Sequence, residues 1–201
     1  TLYRIEKGDP AVAIGLYFLW LRGLPLLVLG AAGVVLVLTY TRWITRLPLL
    51  CLLAPGMGFG PIMVLGTVIA LGGGIDTTAL LASLVALLMV SELLLINQIP
   101  DAEADRAIGR RHLVITLGPE KAAHLVAGLL LASYGVIVAG VISGHLDMTG
   151  LIALAPLPAA LWISLRLPRV LATPDQLNRV LGANVAVLLS TLALLVTGLS
   201  L

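Results

Sequence analysis

TTALLASLVALLMVSELLLINQ, residues 77–98, holds a single ionisable side chain, Glu92. About 20 consecutive apolar residues cross a bilayer as an α-helix, so this stretch reads as a membrane span. The rest of the chain is written for the same solvent. Of its 201 residues, 60% are hydrophobic and 11% charged, and mean hydropathy is +1.11. Soluble domains average roughly 45–50% apolar and about 25% charged residues. Aromatic residues make up only 4%, and no alternating pattern marks the strands of a β-barrel. Helices satisfy their own backbone in lipid. The expected fold class is therefore all-α, a polytopic transmembrane helical bundle.

Working outward from a helix over 77–99, apolar runs predict six more: 10–21, 24–40, 49–71, 122–143, 148–165 and 178–199. Residues 1–201 then form one domain. The first helix is short and is expected to begin nearer Arg4. Joints fall at Arg22-Gly23, Pro48, Gly72-Gly73-Gly74, His145-Leu146-Asp147 and Pro174. Threading these helices back and forth sends Arg4, Lys7, Arg42, Arg46, Arg106, Arg110, Arg111, Lys121, Arg166, Arg169 and Arg179 to one side. Only Arg22, of the 12 basic residues, falls on the other. The positive-inside rule makes the richer side cytoplasmic. The net charge of +2 is spread over joints rather than gathered into a patch, so nucleic acid is not an expected partner. The lone Cys51 allows no disulfide framework and reads as a small buried hydrophobe. The chain opens on Thr1, and TLYRIEKGDP looks like the interior of a loop, without signal or transit character. An N-terminally incomplete piece of a longer protein is expected.

One segment looks like chemistry: NQIPDAEADRAIGRRHL, residues 97–113. Positions four apart on a helix lie about 40° from each other, so Asn97, Asp101 and Asp105 form one polar stripe at the mouth of the span. Glu103 is rotated about 200° from Asp101 and faces elsewhere. Pro100 disfavours helix at Ile99 and predicts a kink or break just before Asp101. Hard cations such as Mg²⁺ take oxygen ligands and bridge one or two carboxylates to substrate phosphates. Arginine grips phosphate bidentately, and Arg106, Arg110 and Arg111 follow at once. Arg110 ranks below the other two, because three clustered cations cannot all point inward. The charge pattern alone fits equally well a solvated loop laced with ion pairs.

Elsewhere the signals are weaker. An ionisable group inside a span, Glu92, is a functional candidate by default, yet it lies about 180° around the helix from Asp101. The alternative is a structural group packed on another helix. Asn184 reads as interhelical glue, and Gly140 with Gly144 as a helix-packing pair. His112 sits beside the acidic stripe; His124 and His145 read as ordinary interface residues.

The run N-x-x-x-D-x-x-x-D-R-x-x-G-R-R-x-L-x-x-x-L-G, from Asn97 to Gly118, resembles the second aspartate-rich motif of the UbiA superfamily of intramembrane prenyltransferases. The nearest branch resembles 1,4-dihydroxy-2-naphthoate polyprenyltransferase. Gly58-Phe59-Gly60, Val64-Leu65-Gly66 and Tyr40-Thr41 with Arg46 resemble that branch as well. Two departures stand out: His112 replaces a Thr, and the branch's Gly-Leu-Gly-Glu string is absent. The resemblance implies a bundle of nine helices, seven of them present here. It also implies two facing Asp-rich motifs, of which 1–201 contains the second. The piece alone is then expected to be inactive.

What the resemblance implies chemically is transfer of a polyprenyl group from polyprenyl diphosphate to an aromatic acceptor, with 1,4-dihydroxy-2-naphthoate and menaquinone biosynthesis the nearest case. Asp101 and Asp105 would hold Mg²⁺. Asn97, Arg106, Arg110, Arg111, Tyr40 and Arg46 would bind substrate. The setting would be a prokaryotic cell membrane, with the lipid bilayer as a further partner. The same fold with another aromatic acceptor, or a non-catalytic membrane subunit or transporter, stays open. A membrane alcohol-phosphate transferase would carry a D-G-x-x-A-R signature, which this chain lacks.

Overall fold

A computed structural model of the chain describes residues 10–201, and the expected helix start near Arg4, together with Arg4 and Lys7, lies outside them. All regular structure among the described residues is helical. Helices α1 (Pro10–Arg22) and α2 (Leu24–Tyr40) are joined at Gly23. Helix α3 runs Pro48–Ala70 and α4 runs Thr77–Ala107. A short α5 (Leu113–Leu117) precedes α6 (Pro119–Ile142). Two more, α7 (Met148–Val170) and α8 (Pro174–Leu199), complete the chain.

The seven expected segments are therefore all present, with shifted ends. Five of them, α3, α4, α6, α7 and α8, are long and apolar enough to cross a membrane, whereas α1 and α2 are shorter. Their boundaries follow local chemistry. Pro48, Pro119 and Pro174 open α3, α6 and α8, positions where the missing N–H costs no hydrogen bond. The Asp76 carboxylate caps α4 by accepting from Ala79 N at 2.8 Å.

Three departures from expectation concern helix interiors. Pro100 does not break α4, which continues through it to Ala107. A proline removes one backbone donor, and here tertiary support outweighs that loss: α4 packs against α3, α6 and α8. The middle of α3 widens into a π-helical stretch over Gly58–Leu65 that contains Pro61. The first turns of α7, Met148–Leu154, are 3-10, held where Thr149 Oγ1 donates to Gly198 O at 2.6 Å.

Helix α4 is the axis of the bundle. Val85, Met89, Leu95 and Ile96 on it are fully buried together with Leu130 and Ile137 of α6 and Ile163 and Leu167 of α7. Close docking against α3 requires glycine. A Cβ on Gly56 would strike Ser91 Oγ and Leu87 O, and one on Gly60 would lie 2.8 Å from Leu87 N. This small-x-x-x-small pair went unread in the sequence, where Gly140 and Gly144 were singled out instead. Of those two, Gly140 is a tight contact, against Leu146, while Gly144 forms a turn at φ +72. Large apolar side chains such as Trp20, Val37, Ile142 and Leu165 point outward, as a lipid-facing surface demands.

Glu92 and Asn184 are both fully buried, and Asn184 Nδ2 donates to Glu92 Oε2 at 3.0 Å. Asn184 thus does tie α8 to α4. Glu92 takes the packed, structural position rather than joining the acidic stripe.

Candidate active site

At the end of α4 remote from Asp76, one polar cavity of about 130 Å³ is lined by Tyr40, Thr45, Cys51, Leu94, Asn97, Gln98, Asp101, Asp105, Arg110 and His112. Helical periodicity alone places Asn97, Asp101 and Asp105 there. Leu94 and Gln98 are also on α4, while Tyr40 comes from α2, Thr45 from the turn before α3, Cys51 from α3, and Arg110 and His112 from the segment after α4.

The two aspartates differ. Asp101 is exposed and, among the described residues, has no hydrogen-bond or ion-pair partner. Asp105 is buried and held at both oxygens: Arg110 Nη1 donates to Oδ1 at 2.8 Å, and His112 Nε2 lies 3.1 Å from Oδ2. Burial pushes the His112 imidazole below its ordinary pKa, against the opposing pull of the Asp105 carboxylate.

Gly109 makes this geometry. It takes φ +80, the left-handed conformation in which glycine alone is unstrained. Gly109 N then bonds Arg106 O, and Arg110 N bonds Asp105 O at 3.0 Å. That pair of bonds is a Schellman C-cap. It folds Arg110 back over the last turn of α4, beside the carboxylate it pairs with. Arg111 N donates to Thr45 O, which fastens the segment to the turn before α3.

The arginines are sorted differently from the sequence-based order. Arg110, placed last, is the one that reaches Asp105. Arg106 lines a separate cavity of about 480 Å³ with Glu103, Pro119 and Asn178, on the opposite face of α4. Arg111 and Arg46 are exposed and line neither cavity. The reason is angular: Arg106 is one residue beyond Asp105 and so about 100° around the helix, whereas Arg110 lies past the helix end, where the turn re-aims it. Tyr40 does reach the carboxylate cavity.

Sequence reasoning missed Thr45, Cys51, Gln98 and the buried role of His112. Cys51 is more than a filler, since Gln98 Nε2 donates to its sulfur at 3.5 Å. The glycine at the helix end, a C-cap signal, was the one local hint that Arg110 would turn inward.

Two apolar cavities adjoin. One of about 320 Å³ is lined by Leu36, Val37, Tyr40, Pro55 and Phe59 among others. A groove of about 490 Å³ between α3, α4 and α8 is lined by Phe59, Met63, Ala86, Leu188 and Leu192 among others. Tyr40 is thus a wall common to the polar and the first apolar cavity, and Phe59 a wall common to both apolar ones.

Fold and site define a polytopic helical membrane protein with a carboxylate-bearing polar cavity at one end of its central helix. The UbiA prenyltransferase family model matches residues 11–188. The chain belongs to that family, and prenyl transfer to an aromatic acceptor is the family's general activity. Neither a curated protein nor a solved structure matches it.

Among the described residues no group of three or more His, Cys, Asp or Glu is gathered as a metal cluster. The donor set nonetheless suits a hard cation. Mg²⁺ is commonly bound by one or two carboxylates with the remaining positions left to water and substrate phosphate. Asp101 is unengaged among the described residues, and each Asp105 oxygen keeps a second lone pair.

Proposed function

We propose that the protein transfers a polyprenyl group from polyprenyl diphosphate to 1,4-dihydroxy-2-naphthoate, a step of menaquinone biosynthesis. The observation that carries the donor half of the reading is the shared wall at Tyr40; the naphthoate acceptor rests on the motif resemblance. A carboxylate cavity and an apolar cavity meeting at one residue match an amphiphile with an anionic head and a hydrocarbon tail. Phe59 extends the apolar side into the groove between α3, α4 and α8.

In this reading Asp101 and Asp105 hold Mg²⁺, which would supply positive charge against the diphosphate. Asn97 and Arg110 orient the diphosphate head, and Arg110 stabilises the charge that develops as the allylic C–O bond breaks. Tyr40 stands between head and tail. The apolar walls keep water from the allylic cation until the electron-rich ring attacks it, after which the attacked carbon expels its proton, or its carboxylate as CO2, to restore aromaticity. Arg106, Arg111 and Arg46 have no part at the carboxylates. The cation distribution supports a cytoplasmic mouth; the prokaryotic cell membrane rests on the motif resemblance alone.

The absent Gly-Leu-Gly-Glu string keeps a second acceptor in view, a hydroxybenzoate ring. Membranes containing the full-length protein, given labelled polyprenyl diphosphate and Mg²⁺, separate the two. Prenylated naphthoate is the expected product. Product from hydroxybenzoate alone would move the acceptor, and none from either ring with intact donor would end the enzymatic reading in favour of a non-catalytic membrane subunit or transporter.

A further inference from the structure

We infer that the two groups gripping Asp105 have opposite roles: His112 permanently positions the carboxylate, whereas Arg110 is a releasable counter-ion that a bound divalent cation displaces. The inference rests on the reading of Asp101 and Asp105 as cation ligands.

The two grips differ in what leaving would cost. The His112 side chain is 1% exposed and that of Arg110 43%. The His112 Nδ1 atom is closed to water and, among the described residues, has no hydrogen-bond partner. A proton there would be a buried donor with nothing to accept it, which is unfavourable. The tautomer that strands no donor is neutral and carries its proton on Nε2. That proton points to Asp105 Oδ2. His112 therefore orients the carboxylate without cancelling its charge.

Arg110 does cancel it. Its guanidinium is the only full positive charge among the described residues paired with Asp105. A divalent ion approaching the same carboxylate is repelled by that guanidinium at short range, so the two compete for Oδ1. The arginine end of the pair can yield, because its half-exposed guanidinium regains water as it leaves the carboxylate. Its backbone does not have to move. Arg110 N stays bonded to Asp105 O, so the side chain swings on a fixed base set by Gly109. The released guanidinium still borders the cavity, where its planar fork suits phosphate oxygens. Cation binding at Asp105 would thus deliver Arg110 to the diphosphate.

Opposite roles predict opposite effects on cation binding itself, read without turnover. Mn²⁺ binding to the full-length protein in detergent, followed by electron paramagnetic resonance, is the measurement, with inorganic pyrophosphate as the head-group probe. Arg110→Gln should bind Mn²⁺ about two- to fivefold more tightly, the factor at the upper end for an ion pair with one solvated partner, and should bind pyrophosphate more weakly once Mn²⁺ is present. His112→Leu should bind Mn²⁺ roughly tenfold more weakly, as loss of a group orienting a ligand does. His112→Gln, which keeps an N–H donor at similar reach, should recover most of that loss.

Equal or weaker Mn²⁺ binding by Arg110→Gln overturns the inference. So does unaltered binding by a folded His112→Leu protein. Should His112→Leu fail to fold, the Arg110→Gln and His112→Gln measurements decide. If the parent protein binds no Mn²⁺, the cation reading of the site falls, and this inference with it. If the parent binds and the variants do not diverge, only this inference falls.

Discussion

Glu92 and Asn184 meet 92 residues apart in the chain, at 3.0 Å, and each keeps one buried oxygen, Oε1 and Oδ1, without a partner among the described residues. Two stranded acceptors facing a shortage of donors make a defined stability experiment. Glu92→Gln supplies an amide N–H₂ and is expected to leave stability unchanged or raise it by up to about 1 kcal/mol. Glu92→Ala strands Asn184 and is expected to cost about 1–3 kcal/mol. Unfolding of the purified protein in mixed micelles measures both. A stable Glu92→Ala variant would remove the structural role.

Helix docking gives a second contrast. A Cβ at Gly60 would lie 2.8 Å from Leu87 N, while one at Gly66 meets nothing within 4 Å. Gly60→Ala should therefore destabilise by about 1–3 kcal/mol, the usual range for overpacking, and Gly66→Ala should not. Equal melting temperatures for the two variants would contradict the close approach of α3 to α4.

The two aspartates are expected to part company between activity and stability. Asp101→Ala and Asp105→Ala should each lower prenyl transfer by about 10²-fold or more, the scale of losing one charge-stabilising group. Only Asp105→Ala should also lower stability, because it leaves buried His112 without its acceptor. Full turnover in either variant would remove that residue from the site.

Arg106 and Arg110 test the sorting of cations. They are four residues apart, yet line different cavities. Arg110→Gln should reduce transfer by about tenfold or more; Arg106→Gln should stay within about twofold, as surface changes away from a site do. The reverse ranking, measured as kcat with polyprenyl diphosphate, would return Arg106 to the diphosphate.

The turn at Gly109 should be as exacting as the side chains it aims. Its φ of +80 is disfavoured for other residues by roughly 1–2 kcal/mol. Gly109→Ala is expected to lower stability by about that amount and transfer by more than Arg106→Gln does. An Ala variant indistinguishable from the parent would show that Arg110 needs no such turn.

Much of the molecule was legible beforehand because the signals were local. Hydropathy identified the bilayer as solvent and located all seven apolar segments, the five long ones and the two shorter. The four-residue spacing of Asn97, Asp101 and Asp105 placed them on one face, and their shared cavity follows from helix geometry alone. Pro100 misled because a helix-breaking tendency of one residue is weighed against packing along the whole of α4. The C-cap at Gly109 is local as well, since its signal is one glycine just past the last turn of α4.

Periodicity and composition, acting over a few residues, decide solvent, helix order and which faces are polar, because helical geometry repeats with the backbone. Which partners those faces receive is decided between helices. Cys51 and His112 joining the aspartates and Glu92 finding Asn184 depend on how α3, α6 and α8 dock around α4. Such contacts arise from close packing among segments far apart in the chain, and no local pattern encodes them.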